Sequence, residues 1–206
     1  MAKKKINIKV FTYADKQLYQ LGYITGGFTK QQAKELGVNL DRFKSHVKDG
    51  YVKLKGTVNV KNDNPYQLYV LTDKGKAKCR ELNDVGHAYK RTSELHDRVL
   101  RSEYIKSNKE NNIVKWLTEK DLYDRLEEKI YELKNSNSKA DIDRADELTN
   151  MLSNKLISMP DMAYVTESGE TVVVEVITKH YKAETIQAKH EYINAMSYQY
   201  KEVKVN

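Results

Sequence analysis

The sequence predicts an α+β protein in two parts, an N-terminal winged helix-turn-helix followed by a C-terminal domain whose elements run α, β, β, α, β. Three observations carry the prediction. The stretch from Phe28 to Gly50, FTKQQAKELGVNLDRFKSHVKDG, places the start and stop signals of two short helices in close succession. After it come two β-rich runs, YVKLKGTV and YQLYVL, parted by the polar break Lys61-Asn62-Asp63-Asn64-Pro65. The last fifty residues set β-branched runs around one helical segment.

Residues 12 to 21, TYADKQLYQL, supply a leading helix with Ala14, Leu18 and Leu21 on one side. Thr29 can cap the second helix, Gln32 completes a capping box three residues on, and Phe28 and Ala33 hold the two positions of a hydrophobic staple. Gly37 ends that helix. Asn39 can cap the third, in which Leu40, Phe43 and Val47 recur at the spacing that sets one stripe against a core. Its other face carries Arg42, Lys44, Ser45 and Lys48. Cations meet phosphates, and Arg or Lys can bond guanine edges in the major groove, so this helix is the expected recognition element. The two β-rich runs read as a hairpin wing, and TDKGKAKCREL, from Thr72, closes the domain as a helix. The run Leu71-Thr72-Asp73-Lys74-Gly75 resembles the wing-to-helix junction of many such domains.

Charge supports the same reading. Of the net +7, residues 1 to 90 hold 18 Lys and Arg against 8 Asp and Glu, whereas residues 91 to 206 hold 18 against 21. The basic half is the winged-helix half, and a localised positive field is the footprint of phosphate neutralisation. Gln31 and Lys34 are expected near the DNA backbone, with Lys53 and Lys55 reaching it from the wing.

At 206 residues the chain can bury a core, and its 39% hydrophobic content is ordinary for a soluble protein. No window approaches the roughly 18 consecutive apolar residues of a membrane span. Met1 to Val10, with Lys3-Lys4-Lys5, leads into no apolar signal segment, so a cytoplasmic location is expected. Cys79, the single cysteine, can form no internal disulfide and reads as a small packed side chain. The five histidines show no zinc spacing, and no glycine loop suits a phosphate. The fifteen tyrosines are spread along the chain, which fits strand and core packing better than base stacking.

The domains expected are residues 1–85, a helical linker over 86–112, and 113–206 with a helical hairpin inserted at about 120–157. Ile113 to Leu117 is a short apolar run that suits a strand. Leu122, Leu126, Ile130 and Leu133 form an amphipathic stripe, Asn135 to Ser138 breaks it, and Ala145, Leu148, Leu152 and Leu156 mark a returning helix that packs inside the domain or forms a dimer interface. Strands are expected over Met159 to Val165 and Thr171 to Thr178, a helix over Glu184 to Met196, and a closing strand over Tyr198 to Val205.

That order, with Pro160-Asp161 in the first of these strands and Glu175 in the second, resembles the core of PD-(D/E)XK nucleases. The resemblance implies Asp161 and Glu175 as ligands of Mg2+ or Mn2+, with a lysine polarising water or phosphate. Where that family places its lysine, two residues past the acid, this chain has Ile177; Lys179, one step on along the same strand face, and Lys189, on the following helix, are the substitutes. A second resemblance spans residues 12 to 195. The winged helix, His96, Trp116-Leu117-Thr118-Glu119, Pro160-Asp161, Val174-Glu175-Val176, Lys189 and Tyr192 together look like the replication-relaxation family of plasmids, phages and conjugative elements. By the same analogy Glu119 is a further acid of the metal site.

The function expected is therefore sequence-specific binding of double-stranded DNA on a mobile genetic element by a homodimer, with a replication or mobilisation protein as its expected partner. A metal-dependent endonuclease, with Asp161, Glu175, Lys179, Lys189 and Glu119 as its residues, is the alternative. An inhibitor or assembly factor acting on another protein is the third reading.

Overall fold

The computed structural model describes residues 7–59, 64–90, 93–179 and 181–205. Lys61, Asn62 and Asp63 of the expected wing turn lie outside them. The chain divides into two compact units, Met1–Asn111 and Asn112–Asn206.

The first unit runs α1 (Tyr13–Ile24), α2 (Lys30–Glu35), α3 (Leu40–Lys48), β1 (Val52–Val58), β2 (Tyr66–Leu71), α4 (Asp73–Leu82) and α5 (Glu94–Glu110). This is a winged helix-turn-helix with an added helix. Side chains of Thr12, Thr29, Asn39 and Thr72 each accept a hydrogen bond from the third backbone N–H of the helix they precede, satisfying a donor the helix cannot. Gly37, at φ +87°, takes the left-handed conformation that lets the chain leave α2 and enter α3. β1 and β2 pair antiparallel with an irregularity between Leu54 and Gly56. Phe28, ahead of α2, pairs with Tyr69 through two backbone bonds of 2.9 and 2.8 Å, so the helix-turn-helix is stitched to the wing. Leu18, Leu21, Ile24, Phe28, Phe43 and Leu68 fill the core. Gly75, in the first turn of α4, sits so close to the Tyr51 carbonyl that a side chain there would overlap it.

Two expectations change here. The stripe Leu40, Phe43, Val47 does not pack as a set: Phe43 is buried, but Leu40 is 54% and Val47 38% exposed, and His46 takes the buried place. The segment expected as a linker contains α5, which belongs to the first unit. Leu100 and Tyr104 are fully buried, and the Tyr104 hydroxyl donates to Gln20 on α1 at 2.8 Å. A helix with that much buried surface is part of a core, not a tether.

The second unit runs β3 (Ile113–Thr118), α6 (Glu119–Lys134), α7 (Lys139–Ser153), β4 (Met162–Thr166), β5 (Thr171–Ile177), α8 (Ala183–Met196) and β6 (Gln199–Lys204). The strands form one sheet in the order β3-β4-β5-β6, antiparallel except for the parallel pair β5-β6 that α8 connects. α6 and α7 pack on each other. Leu122, Leu126 and Leu148 from this hairpin join Leu117, Ala163, Val173 and Tyr192 in the core. Leu156 lies beyond the end of α7 and is 55% exposed, and Pro160-Asp161 precede β4 instead of lying within it. No described helix is long and apolar enough to cross a membrane.

Candidate nucleic-acid interface

α3 is amphipathic in a specific sense. At 3.6 residues per turn, Leu40, Lys44, Val47 and Lys48 fall on one side and are exposed, while Phe43 and His46 fall on the other and are buried. Lys44 lies 3.1 Å from Asp41, with both side chains largely solvated, so that pair holds the ammonium only weakly. The Ser45 hydroxyl donates to the Asp41 carbonyl.

Arg42 behaves differently from its expected role. Its Nε donates to Asp15 at 2.9 Å and its Nη2 to both Asp15 and the Val10 carbonyl. The Nε and Nη2 edge of the guanidinium is thus used within the protein, tying α3 to α1, while the side chain stays 30% exposed. Asp15 also accepts from Thr12 and lies 2.7 Å from His46 Nε2, while His46 Nδ1 lies 2.9 Å from the Tyr19 hydroxyl. A carboxylate only accepts, so Nε2 carries a proton, and in the neutral ring Tyr19 then donates to Nδ1. Burial pushes the Asp15 carboxyl up, but the bonds from His46, Arg42 and Thr12 outweigh it and hold the group well below the ordinary carboxylate range. Burial, with Tyr51 and Asp15 nearby, pushes the Tyr19 phenol far above its usual value. Asp15, His46 and Tyr19 are the residues that the sequence reading missed. The only local signal was Thr12-Tyr13-Ala14-Asp15, which has the spacing of a capping box.

The other expected contacts fall into two groups. Gln31, Lys34 and Leu40 border one cavity of about 380 Å³ between α2 and α3. Gln31 is bonded to Glu35 at 3.2 Å. Lys53 and Lys55 are exposed on β1 and border a second cavity, of about 480 Å³, with Tyr23, Asp73 and Lys76. Cys79 is fully buried, and burial pushes its thiol up to about 12, as suits an inert packed side chain.

In the second unit the structure brings together Asp161, Glu175 and Lys189 and leaves Lys179 and Glu119 exposed. Glu175 is completely buried. Its Oε2 accepts from Lys189 Nζ at 2.8 Å and from the Asp161 backbone N–H at 3.1 Å, and its Oε1 accepts from Tyr181 at 2.7 Å. Asp161 Oδ2 accepts from the Val176 N–H at 2.8 Å. Lys189 reaches from α8 and also donates to the Met159 carbonyl. Burial pushes Glu175 up to about 7, with Asp161 adding to the rise and Lys189 and Tyr181 opposing it.

The oxygens that would ligate the expected divalent cation are engaged within the protein. Mg2+ keeps several waters and takes one or two carboxylates from a protein, so what matters is whether the Asp161 and Glu175 oxygens are available to it. Both Glu175 oxygens and Asp161 Oδ2 accept from protein donors, so binding a cation there would require those bonds to open. The cluster is a hydrogen-bonded set that joins β5 to α8 and the approach to β4.

No protein-family model matches the chain, and no curated protein matches it either. A solved structure of Bacillus subtilis PadR in complex with operator DNA is similar over 71% of this chain and 91% of that one, at 16% identity and a TM-score of 0.29. A likeness that slight carries no argument, and the winged-helix assignment rests on the element order and pairing of the first unit.

Proposed function

We propose that the first unit binds double-stranded DNA in a sequence-dependent way, with the exposed side of α3 in the major groove. The observation that carries this reading is the composition of that side: Lys44, Ser45 and Lys48 stand beside exposed Leu40 and Val47 on a helix whose back is fixed to α1. Lysines hold phosphates or guanine edges, and aliphatic side chains suit the thymine methyl. Lys34 and Gln31 from α2 and Lys53 and Lys55 from the wing would meet the backbone. Arg42 acts here by holding α3 against α1, not as a base reader.

The resemblance to the replication-relaxation family motivates the finer proposals, a mobile element as the setting, a homodimer as the binding form and a replication or mobilisation protein as partner. The Glu175–Lys189 pair favours a structural second unit over an endonuclease.

Selection of duplexes from a random pool by the full chain, followed by affinity measurements at fixed salt, tests the DNA reading. An enriched site is expected, bound roughly 1,000-fold or more tightly than scrambled DNA. Leu40→Ala and replacement of the contacted thymine by uracil should weaken that site to a similar degree and not add together. Failure to enrich any sequence, with no binding even at low salt, would overturn the proposal.

A further inference from the structure

We propose that a cleft between α2, β2 and α5 binds a small ligand bearing a phosphate-like oxyanion, held by the Arg101 guanidinium. The cleft lies beside the proposed DNA-contacting surface and shares Gln31 with it, but the proposal does not rest on that reading.

Arg101 projects from α5 with no solvent exposure. Its Nη2 donates to the Glu94 carboxylate and, at 3.3 Å, to the Tyr66 hydroxyl, which itself donates to Glu94 at 2.7 Å. Its Nε and Nη1 are buried and have no hydrogen-bond partner; they are the only buried side-chain nitrogens or oxygens among the described residues in that state. A guanidinium is a rigid fork of five N–H donors with no acceptor of its own, and a buried donor without a partner keeps the full cost of leaving water. Such a group calls for an acceptor that the described residues do not supply.

The space for one adjoins it. Arg101 lines a cleft of about 440 Å³ together with Lys30, Gln31, Tyr66, Arg98 and Ser102. That volume lies within the roughly 300–1,000 Å³ of small-molecule sites. Among the described residues three cations, Lys30, Arg98 and Arg101, border the cleft, and the nearby carboxylate, Glu94, is already bonded to Arg101 and Tyr66, so the local field favours an anion. The Arg98 guanidinium lies 5.9 Å from the Tyr66 ring centre, at the side of the cleft. A guanidinium edge matches two oxygens of one phosphate or carboxylate group, which a single lysine cannot do. Because Nε and Nη1 have no exposed surface, the ligand must displace the side chains above them as it enters.

The full chain with inorganic phosphate as probe, and sodium chloride at matched ionic strength as control, tests the site. In nitrogen-15 spectra of the wild-type protein, the Arg101 Nε–H signal, assigned through α5, is expected to shift with phosphate in a saturating manner and to stay in place with chloride. Arg101→Lys should lower phosphate affinity roughly tenfold or more while the fold is retained. Should that variant fail to fold, Arg98→Gln leaves the Arg101–Glu94 pair intact and is expected to weaken phosphate about threefold. An unmoved Arg101 signal, an equal shift with chloride, or full phosphate affinity in Arg101→Lys would overturn the proposal. So would a shift seen with duplex DNA and absent with phosphate, because the oxyanion would then be a backbone phosphate of the nucleic acid.

Discussion

Asp15 and Glu175 are both completely buried carboxyls with a cationic partner, yet their surroundings drive them in opposite directions. Asp15 is held below its ordinary range, so proton release favours the folded state. Its contribution is present above the unfolded value of 3.8 and is lost as pH falls through the lower folded value. Removing one member of a buried charge pair leaves the other uncompensated, so Asp15→Asn is expected to cost about 3–5 kcal/mol at neutral pH by urea denaturation and to flatten the acid limb of the stability curve. Glu175 is raised from 4.5 to about 7, so proton uptake favours the folded state. Its contribution is present below about 4.5 and is lost as pH rises through about 7. Thermal unfolding of Glu175→Gln across that window should therefore lack the decline that Glu175 gives the wild-type protein; an unchanged decline would place its origin elsewhere.

At the level of elements, caps and turns were legible in the sequence because their chemistry is local. Thr29 with Gln32, Asn39, and Gly37 each do in the structure what their spacing implies. The buried side of α3 was not legible. Apolar periodicity selected Leu40 and Val47, but the position facing α1 is filled by His46, whose burial is made tolerable by Asp15 and Tyr19, both distant in sequence. The same distance concealed Arg42's partner, whereas the nuclease resemblance had already set Lys189 beside Glu175, where the structure places it. Periodicity reports which residues are apolar, not which polar ones find a partner after folding. At the junction of wing and α4, Gly75→Ala must push α4 away from the Tyr51 carbonyl and is expected to destabilise the protein by about 1–3 kcal/mol, read as a lower urea midpoint.

At the level of the whole molecule, two units each carry a core of their own. In the second, Leu126 is fully buried between α6, α7 and the sheet, and Leu126→Ala should cost about 2–5 kcal/mol by denaturation. Charge is divided as the cores are, with the excess of lysine and arginine confined to the first ninety residues. DNA affinity of the full chain should accordingly fall steeply with salt. Lys48→Ala should reduce the slope of log affinity against log salt by about 0.9 if that side chain neutralises one phosphate. An unchanged slope would remove Lys48 from the backbone contacts.

The backbone pair between Phe28 and Tyr69 has a consequence for self-association. A two-stranded ribbon has two open margins, and either can recruit a strand from another copy and seed fibrils. Here one margin is partly occupied by the protein's own chain, while the other displays Lys53 and Lys55 and is distorted beside Gly56. The hairpin can project into solvent with both sides guarded against stacking.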